Sequence, residues 1–292
     1  MTILSETWNL LKDTALSYVD DDALSRGAAI AFYTVTSIAP VLLIVIAIAG
    51  LAYGRDAAQN AIIGQLSGLM GPQTADLLQS AVASAAGKSS GIVATLVGVI
   101  TLAVTASGVF GEMQSALNVI WKTKPHGTTV SRLIRARATS LGLVVAFGFL
   151  LMVSLAVSAA LAAFGDQLGS ILPFGKTFLA GTNFVVSLIL ISVLFAAIYK
   201  ILPDRHLEWR DVAIGAFVTA LLFTVGKSLI GWYIGSSAVA SIYGAAGALI
   251  VLLLWVYYSA QIFLLGAEFT KAYANRHGSK RDQPVVDRVR PT

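Results

Sequence analysis

The chain has 292 residues, of which 57% are hydrophobic and only 12% charged, and its mean hydropathy is +0.79. A soluble domain carries roughly 25% charged residues, so the composition excludes an ordinary soluble protein and indicates one surrounded by lipid. The sequence has no cysteine, which excludes disulfides, thiolate metal sites and a cysteine nucleophile.

The first 22 residues predict an amphipathic helix. Apolar side chains recur there at helical spacing, at Leu4, Trp8, Leu11, Ala15 and Tyr18. We interpret residues 1–22 as a helix that lies on the inner membrane face, with a cap facing solvent as the alternative. The acidic run at residues 20–22 is expected to supply an N-cap for the helix that follows.

Six stretches are apolar and long enough to cross a bilayer core of roughly 30 Å, which takes about 20 helical residues. They are approximately residues 28–53, 91–110, 139–164, 182–202, 212–231 and 245–267. Continuous apolar runs of this kind exclude a barrel, whose strands alternate in polarity. The sequence therefore predicts an all-α, polytopic membrane protein in which residues 23–270 form a domain of six transmembrane helices.

Residues 54–90, between the first two spans, predict an external helical hairpin. Ile62, Ile63 and Leu66 form one short amphipathic stretch, and Pro72 suits the first turn of a second. We expect this hairpin to pack on the outer leaflet or to dip into it. A plain external cap is the alternative.

The Lys and Arg residues predict the orientation. Sixteen of the 20 lie in the N-terminal segment, the second loop, the fourth loop and the C-terminal tail, all on one side of the predicted spans. By the positive-inside rule that side is cytoplasmic, so both termini are expected inside the cell. Residues 271–292 form a basic tail, which is expected to be disordered from His277 onwards. The tail is a solvated topology signal or, alternatively, a segment that touches anionic lipid.

Polar side chains inside the spans are costly in lipid and are therefore the candidate functional residues. Those of the first span share one face, and Pro40 is expected to kink that helix in mid-membrane. Those of the second form a polar stripe that also contains Gly108 and Ser115. The complete set of candidates for a substrate path or gate is Arg26, Tyr33, Ser37, Pro40, Thr101, Thr105, Glu112, Asn118, Lys227, Tyr257, Gln261 and Glu268.

Three of these candidates lie at cytoplasmic ends of predicted spans. Arg26 begins the first span, whereas Glu112 and Glu268 end the second and the sixth. We expect Arg26 to pair with Glu112 or Glu268. The cluster either ties the helix ends together as a structural element or forms an inner gate or substrate vestibule.

Lys227 lies well inside a predicted span, whereas Lys200, at the end of its span, is counted with the fourth loop. The Lys227 ammonium either reaches the outer headgroups along the helix or faces a cavity that receives an anionic group. Gly226 and Gly231 beside it would leave room for such a group. Gly231, Gly235, Gly244 and Gly247 are otherwise interpreted as packing or turn residues.

The sequence gives no support to enzymatic chemistry. The three histidines, His126, His206 and His277, are scattered without metal-binding spacing. A P-loop is absent. The basic loop at residues 122–137 is explained by topology, and no RNA-binding module accompanies it. We therefore predict a protein that is not an enzyme, has no cofactor or metal and binds no nucleic acid.

Several motifs along the chain resemble those of one family of bacterial inner-membrane proteins. They are Arg26-Gly27-Ala28-Ala29-Ile30-Ala31-Phe32-Tyr33 with Ser37 and Pro40, Ala116-Leu117-Asn118-Val119-Ile120-Trp121, Leu202-Pro203, Trp209-Arg210-Asp211, Gly215-Ala216, Tyr243-Gly244-Ala245, Leu254-Trp255-Val256-Tyr257 and Gly266-Ala267-Glu268. In this order, over about residues 24–270, they resemble the YihY/BrkB family.

This resemblance implies six membrane helices and an inner-membrane location. Members of the family have carried a ribonuclease BN label, which this sequence does not support because metal-ligand chemistry is lacking. Others are described as virulence or serum-resistance factors, or as candidate envelope lipid transporters.

Two functions remain open from the sequence. The first is a transporter or flippase-like exporter of an amphipathic, anionic, lipid-like envelope molecule, with membrane lipids as its surroundings. Polar stripes within the spans and a proline in mid-span favour it. The second is a non-transporting structural or envelope-homeostasis protein, in which the polar residues only hold helices together.

Overall fold

The computed structural model describes residues 3–70, 72–86, 108–123, 142, 153, 175–236 and 245–279. Within these residues every regular element is an α-helix and there is no strand, which confirms the all-α prediction. We number the helices over the described residues as α1 (Ile3–Asp20), α2 (Ala23–Tyr53), α3 (Arg55–Met70), α4 (Pro72–Ala86), α5 (108–120), α6 (Gly175–Ile201), α7 (Trp209–Ser236) and α8 (Ala245–Arg276).

Three of these helices are long and apolar enough to cross a membrane, over Gly181–Ile201, Trp209–Tyr233 and Ala246–Arg276. Helix α2 is a fourth if its two bent halves form one span. These helices correspond to the predicted spans 182–202, 212–231, 245–267 and 28–53. The predicted spans 91–110 and 139–164 lie outside the described residues, apart from 108–110, 142 and 153.

Helix α2 bends where the sequence predicts a kink. Its segments Ala23–Ala39 and Val41–Leu51 meet at an angle of 47°. Pro40 stands between them, and a proline within a helix removes one backbone hydrogen bond and crowds the preceding turn.

Helices α3 and α4 form the predicted hairpin, and Pro72 is the first residue of α4. The hairpin is packed on the bundle rather than held apart from it. Its buried side chains share one hydrophobic core with the second half of α2 and the first half of α8, and they include Ala58, Ile62, Leu78 and Val82.

Helices α7 and α8 run antiparallel and approach closely at two glycines. A Cβ atom at Gly215 would lie 2.6 Å from the Cβ of Thr270, and one at Gly266 would lie 2.7 Å from the Cγ2 of Thr219. Each threonine also donates its hydroxyl to a carbonyl of its own helix at 2.7 Å, Thr219 to Gly215 and Thr270 to Gly266. We call these four residues the Gly–Thr contact.

Aromatic side chains fill the core beside the Gly–Thr contact. The rings of Phe195, Tyr199 and Phe263 stack with centroids 5.4 to 6.4 Å apart. The buried Tyr199 hydroxyl donates to the Phe263 carbonyl at 2.7 Å and lies 3.2 Å from the Thr219 hydroxyl. This core therefore joins α6, α7 and α8.

Helix α1 packs on the bundle through Leu10 and Thr14, which are both buried. Most of the predicted apolar stripe of α1 is not buried against the bundle. Trp8 is 68% exposed and Leu11 is exposed as well, whereas the Tyr18 side chain points into the bundle and bonds to Gln261. The expected N-cap is not formed as predicted. Asp22 occupies the N-cap position of α2 in a left-handed conformation, without a side-chain cap bond.

The C-terminal end of α8 continues beyond the predicted domain boundary at residue 270. The helix runs to Arg276, and the turn that follows is held against α7. Ser279 donates its backbone N–H at 3.1 Å and its hydroxyl at 2.7 Å to the buried Asp211 carboxylate. Residues 280–292 of the predicted tail lie outside the described residues.

Candidate functional site

Charged and polar segments from six helices meet at one end of the bundle, which we call the polar end. Four hydrogen bonds define it. They join Arg276 to Asp13, Lys271 to Asp21, Asn118 to Asp204 and Ser279 to Asp211. The described parts of the four segments that the sequence assigns to one side of the membrane therefore lie together.

An ion-pair cluster lies at the centre of the polar end. The Asp21 side chain, in the turn between α1 and α2, is only 2% exposed and contacts two ammonium groups. Lys122 binds its Oδ1, and the Nζ of Lys271 lies 3.0 Å from its Oδ2. The same Nζ lies 3.1 Å from Oε2 of Glu268, whose side chain is 0% exposed. These four residues are the ion-pair cluster.

The surroundings of Asp21 favour its charged form. Burial alone would raise the pKa of this carboxyl group. Hydrogen bonds with Glu268 and Lys122, together with the charge of Lys271, outweigh burial and hold the pKa below its ordinary value. Asp21 is thus an anion with both carboxylate oxygens engaged by lysines.

Glu268 is less completely satisfied. Its Oε2 accepts from Lys271, but its buried Oε1 has no hydrogen-bond partner among the residues that the structure describes. Leaving a buried polar group unpaired costs about 1–3 kcal/mol, and more for a charged group. An oxygen in this position is available to a ligand.

The predicted pairing of Arg26 with Glu112 or Glu268 is wrong. Arg26 donates its Nε to the backbone carbonyl of Asp21 at 3.0 Å. Neither Arg26 nor Glu112 belongs to an ion pair within the described ranges, and Glu268 pairs with Lys271. Lys271 stands three residues further along α8, on the same face, so it reaches Glu268 without any long-range fit.

Gln261, seven residues before Glu268 on α8, joins α8 to α1 and α2. It accepts a hydrogen bond from the Tyr18 hydroxyl and donates to the Leu24 carbonyl at 3.3 Å. Its amide packs directly on Gly27, where a Cβ would collide with it. Burial and the neighbouring Tyr257 raise the pKa of Tyr18 to about 12, so its hydroxyl keeps its proton.

Asn118 connects α5 to the loop after α6. Its amide donates to Oδ2 of Asp204 at 2.9 Å, and its Oδ1 accepts the Asp204 backbone N–H at 2.8 Å. Next to it, Arg205 donates to the Trp121 carbonyl at 2.8 Å and lies 5.8 Å from the centre of the indole ring. Asn118 therefore holds α5 against the loop after α6, and its side-chain amide is engaged on both sides.

We expect Asn118→Leu to lower the free energy of unfolding by about 1–3 kcal/mol, because it removes both hydrogen bonds to Asp204 and leaves a carboxylate with fewer donors. Thermal unfolding of the purified protein in detergent measures the loss. Gln79→Leu, which removes an exposed amide from α4, is the matched control. An equal effect of the two substitutions would contradict the assignment.

The remaining residues of the predicted substrate path are not members of the ion-pair cluster, or they lie outside the described residues. Tyr33 is partly exposed with its ring beside Gly108, and Ser37 is buried. Thr101 and Thr105 lie outside the described residues.

The room predicted beside Lys227 is only partly present. The space beside Gly226 is filled by Ile262 and Tyr258, whereas no described residue fills the space beside Gly231. Within the described ranges Gly231 therefore makes no packing contact.

Two residues of the ion-pair cluster, Asp21 and Lys271, are not predicted from the sequence. Asp21 looks like one acidic residue in a run of three, and only its burial distinguishes it. Lys271 lies beyond the predicted end of the domain. The one available signal is the spacing Glu268-x-x-Lys271, which is typical of an ion pair on one helical face.

Apolar helices of spanning length, with charged side chains buried between their ends, define a helical integral membrane protein. The chain belongs to the Virulence factor BrkB family, whose model matches residues 14–289. It is similar to the UPF0761 membrane protein PM1616 of Pasteurella multocida, with 31% identity over 74% of this chain and 66% of that protein.

Two further relatives carry the same kind of name. The UPF0761 membrane protein YihY of Shigella boydii is 31% identical over 72% of this chain and 69% of its own length. RSc1559 of Ralstonia nicotianae is 28% identical over 89% of this chain. The chain spans 59% of the Ralstonia protein and 66% of the Pasteurella protein. No solved structure matches the chain.

Proposed function

We propose that the protein is a bacterial inner-membrane transporter or flippase that moves an anionic, lipid-like envelope molecule. The observation that carries this proposal is the ion-pair cluster, in which one lysine from the turn after α5 and one from α8 hold a buried anion, Asp21. An anionic head group is the kind of ligand that such lysines exchange for an internal carboxylate.

The cluster has the properties of a gate. It joins the α1–α2 turn, α5 and α8 through side chains alone, so its ion pairs can separate without the loss of any backbone hydrogen bond. Lys122 is 62% exposed and gives access from outside the bundle, whereas Lys271 is 14% exposed and lies behind it. An arriving anion would meet Lys122 first.

Reconstituted vesicles test the proposal. The full chain is placed in phosphatidylethanolamine/phosphatidylglycerol vesicles that contain NBD-labelled phosphatidylglycerol, and dithionite bleaches the label in the outer leaflet. We expect the protein to increase the exchange of label between leaflets, and Lys122→Gln to slow it. Lys12→Gln, which removes an exposed lysine outside the cluster, is the control.

The specificity of the exchange decides the outcome. A labelled phosphatidylcholine is expected to move more slowly than the phosphatidylglycerol, because it presents no net negative charge to the lysines. Exchange at the protein-free rate, or equal rates for the two lipids, contradicts an anion-selective transporter.

The same proposal places both termini and the 122–137 loop in the cytoplasm and the α3–α4 hairpin outside, by the positive-inside rule. Single cysteines test this in a chain that has none of its own. An impermeant maleimide is expected to label Ser84→Cys, exposed on α4, in intact cells and to label Ser131→Cys only after lysis. Labelling of Ser131→Cys in intact cells would reverse the orientation.

A non-transporting structural protein is the second candidate, and the Gly–Thr contact favours it. At two glycines, a threonine of the opposite helix occupies the space that a side chain would take. Helices α7 and α8 are therefore as close together as a fixed scaffold requires. On this alternative, Lys122→Gln lowers stability and leaves lipid exchange unchanged. The vesicle measurement therefore separates the two functions.

A further inference from the structure

Two carboxyl groups share one ammonium group within the ion-pair cluster. The Nζ of Lys271 lies 3.0 Å from Asp21 Oδ2 and 3.1 Å from Glu268 Oε2. Both side chains are almost completely withdrawn from solvent. Each group disfavours the charge of the other, so the pair binds a proton more readily than either group would alone.

The two groups differ in the hydrogen bonds that they accept. Both oxygens of Asp21 are bound by lysines, whereas Oε1 of Glu268 is buried without a partner in the described part of the chain. The lone pair that is free to accept an added proton therefore lies on Oε1 of Glu268. Asp21, held by Lys122 and Lys271, remains the acceptor.

The other titratable groups around the pair are few in the described ranges. Helix α2 contributes Arg26, bound to the Asp21 carbonyl, and α1 contributes Tyr18, bound to Gln261. On α6 the Tyr199 hydroxyl is bound at Phe263, and on α7 Asp211 is bound by Ser279. The cluster itself contributes the lysines Lys122 and Lys271, and Asp22, next to Asp21 in the chain, accepts a hydrogen bond from the Ser25 hydroxyl at 2.9 Å.

We propose that Asp21 and Glu268 form a proton-binding site, and that its proton is taken up together with the anionic cargo. A hydronium ion on the polar side gives its proton to Oε1 of Glu268: one O–H bond breaks, one O–H bond forms, and a water molecule is left. The four side chains of the cluster then pass from no net formal charge to one positive charge. Lys271 keeps one carboxylate partner instead of two, so the protonated cluster attracts an anion more strongly.

An infrared titration of the full chain in detergent tests the site itself. We expect a pH-dependent carboxylic C=O band that is lost in Glu268→Gln and retained in Glu208→Gln, which changes an exposed glutamate of the polar end. Asp21→Asn, which leaves Glu268 in place, is expected to move the midpoint of the band by about 1 pH unit or more, towards lower pH. An unchanged band in Glu268→Gln, or an unmoved midpoint in Asp21→Asn, overturns the proposal.

The coupling to cargo rests on the proposed function and is measured separately. Exchange of NBD-labelled phosphatidylglycerol is compared in vesicles with and without a pH gradient. We expect the gradient to change the exchange rate of the wild type but not of Glu268→Gln. A Glu268 band without any lipid exchange leaves the proton site standing and refutes transport. Exchange that ignores both the gradient and Glu268→Gln refutes the coupling alone.

Discussion

Replacement of Lys271 by methionine is expected to lower the free energy of unfolding by about 3–5 kcal/mol, because it removes one partner of a buried ion pair and strands the other. Lys271 is the ammonium that Asp21 and Glu268 share, and the Glu268 side chain is fully buried. Methionine keeps the length and the apolar stem of lysine, so the loss reports the charge rather than a cavity.

A double-mutant comparison isolates this interaction. Unfolding of the full chain in mixed detergent micelles is followed for Lys271→Met, Glu268→Gln and the two combined. We expect the double variant to be more stable than Lys271→Met alone, since Glu268 is then no longer an unpaired buried charge. Lys12→Met, on the exposed face of α1, is the control and is expected to be close to wild type. Simple additivity of the two losses would contradict the pairing.

The double substitution Gly215→Ala/Gly266→Ala is expected to cost about 1–3 kcal/mol at each site, because each new methyl group overlaps a threonine that cannot move aside. At Gly215 the nearest atom that cannot rotate away is the Cβ of Thr270, 2.6 Å from the added carbon. The expected result is a lower melting temperature and a smaller folded yield in detergent.

Gly231→Ala in the same helix is the matched control. No atom of the residues that the structure describes lies within 4 Å of a Cβ added there. Alanine has a higher helix propensity than glycine by about 1 kcal/mol, so this variant is expected to be as stable as the wild type or more so. Gly215→Ala combined with Thr270→Gly is expected to recover part of the loss. Equal effects of alanine at Gly215 and Gly231 would refute the close approach of α7 and α8.

Features that depend on local pattern could be predicted from the sequence. Continuous apolar runs predict the spanning helices, Pro40 predicts the bend in α2, and Pro72 predicts where α4 begins. The distribution of Lys and Arg predicts which segments lie together at the polar end. Each of these depends on neighbours in the chain or on the overall cost of moving charge into lipid.

Features that depend on register between distant helices could not be predicted. Asp21 and Lys271 meet across most of the chain, and Arg26 binds a carbonyl of its own turn instead of a glutamate. Gly215 and Gly266 pack against the neighbouring helix, whereas no described residue packs on Gly231, and the sequence alone does not distinguish these glycines. A single sequence does not show which face of a distant helix packs on a given glycine.

The Gly–Thr contact determines where this bundle can change shape. Sliding α7 along α8 would drive each threonine against the backbone of the opposite helix, so the two helices move as a rigid unit. Their boundary with α1, α2 and α5 consists of side-chain contacts, with ion pairs at the polar end and the Gln261 amide above them. Apolar side chains of α2 and α5 also pack on α8 along this boundary, so only its polar end can open without loss of hydrophobic contact. A change of shape that spares both the threonines and the core is therefore confined to the seam between α8 and the α1–α2 turn.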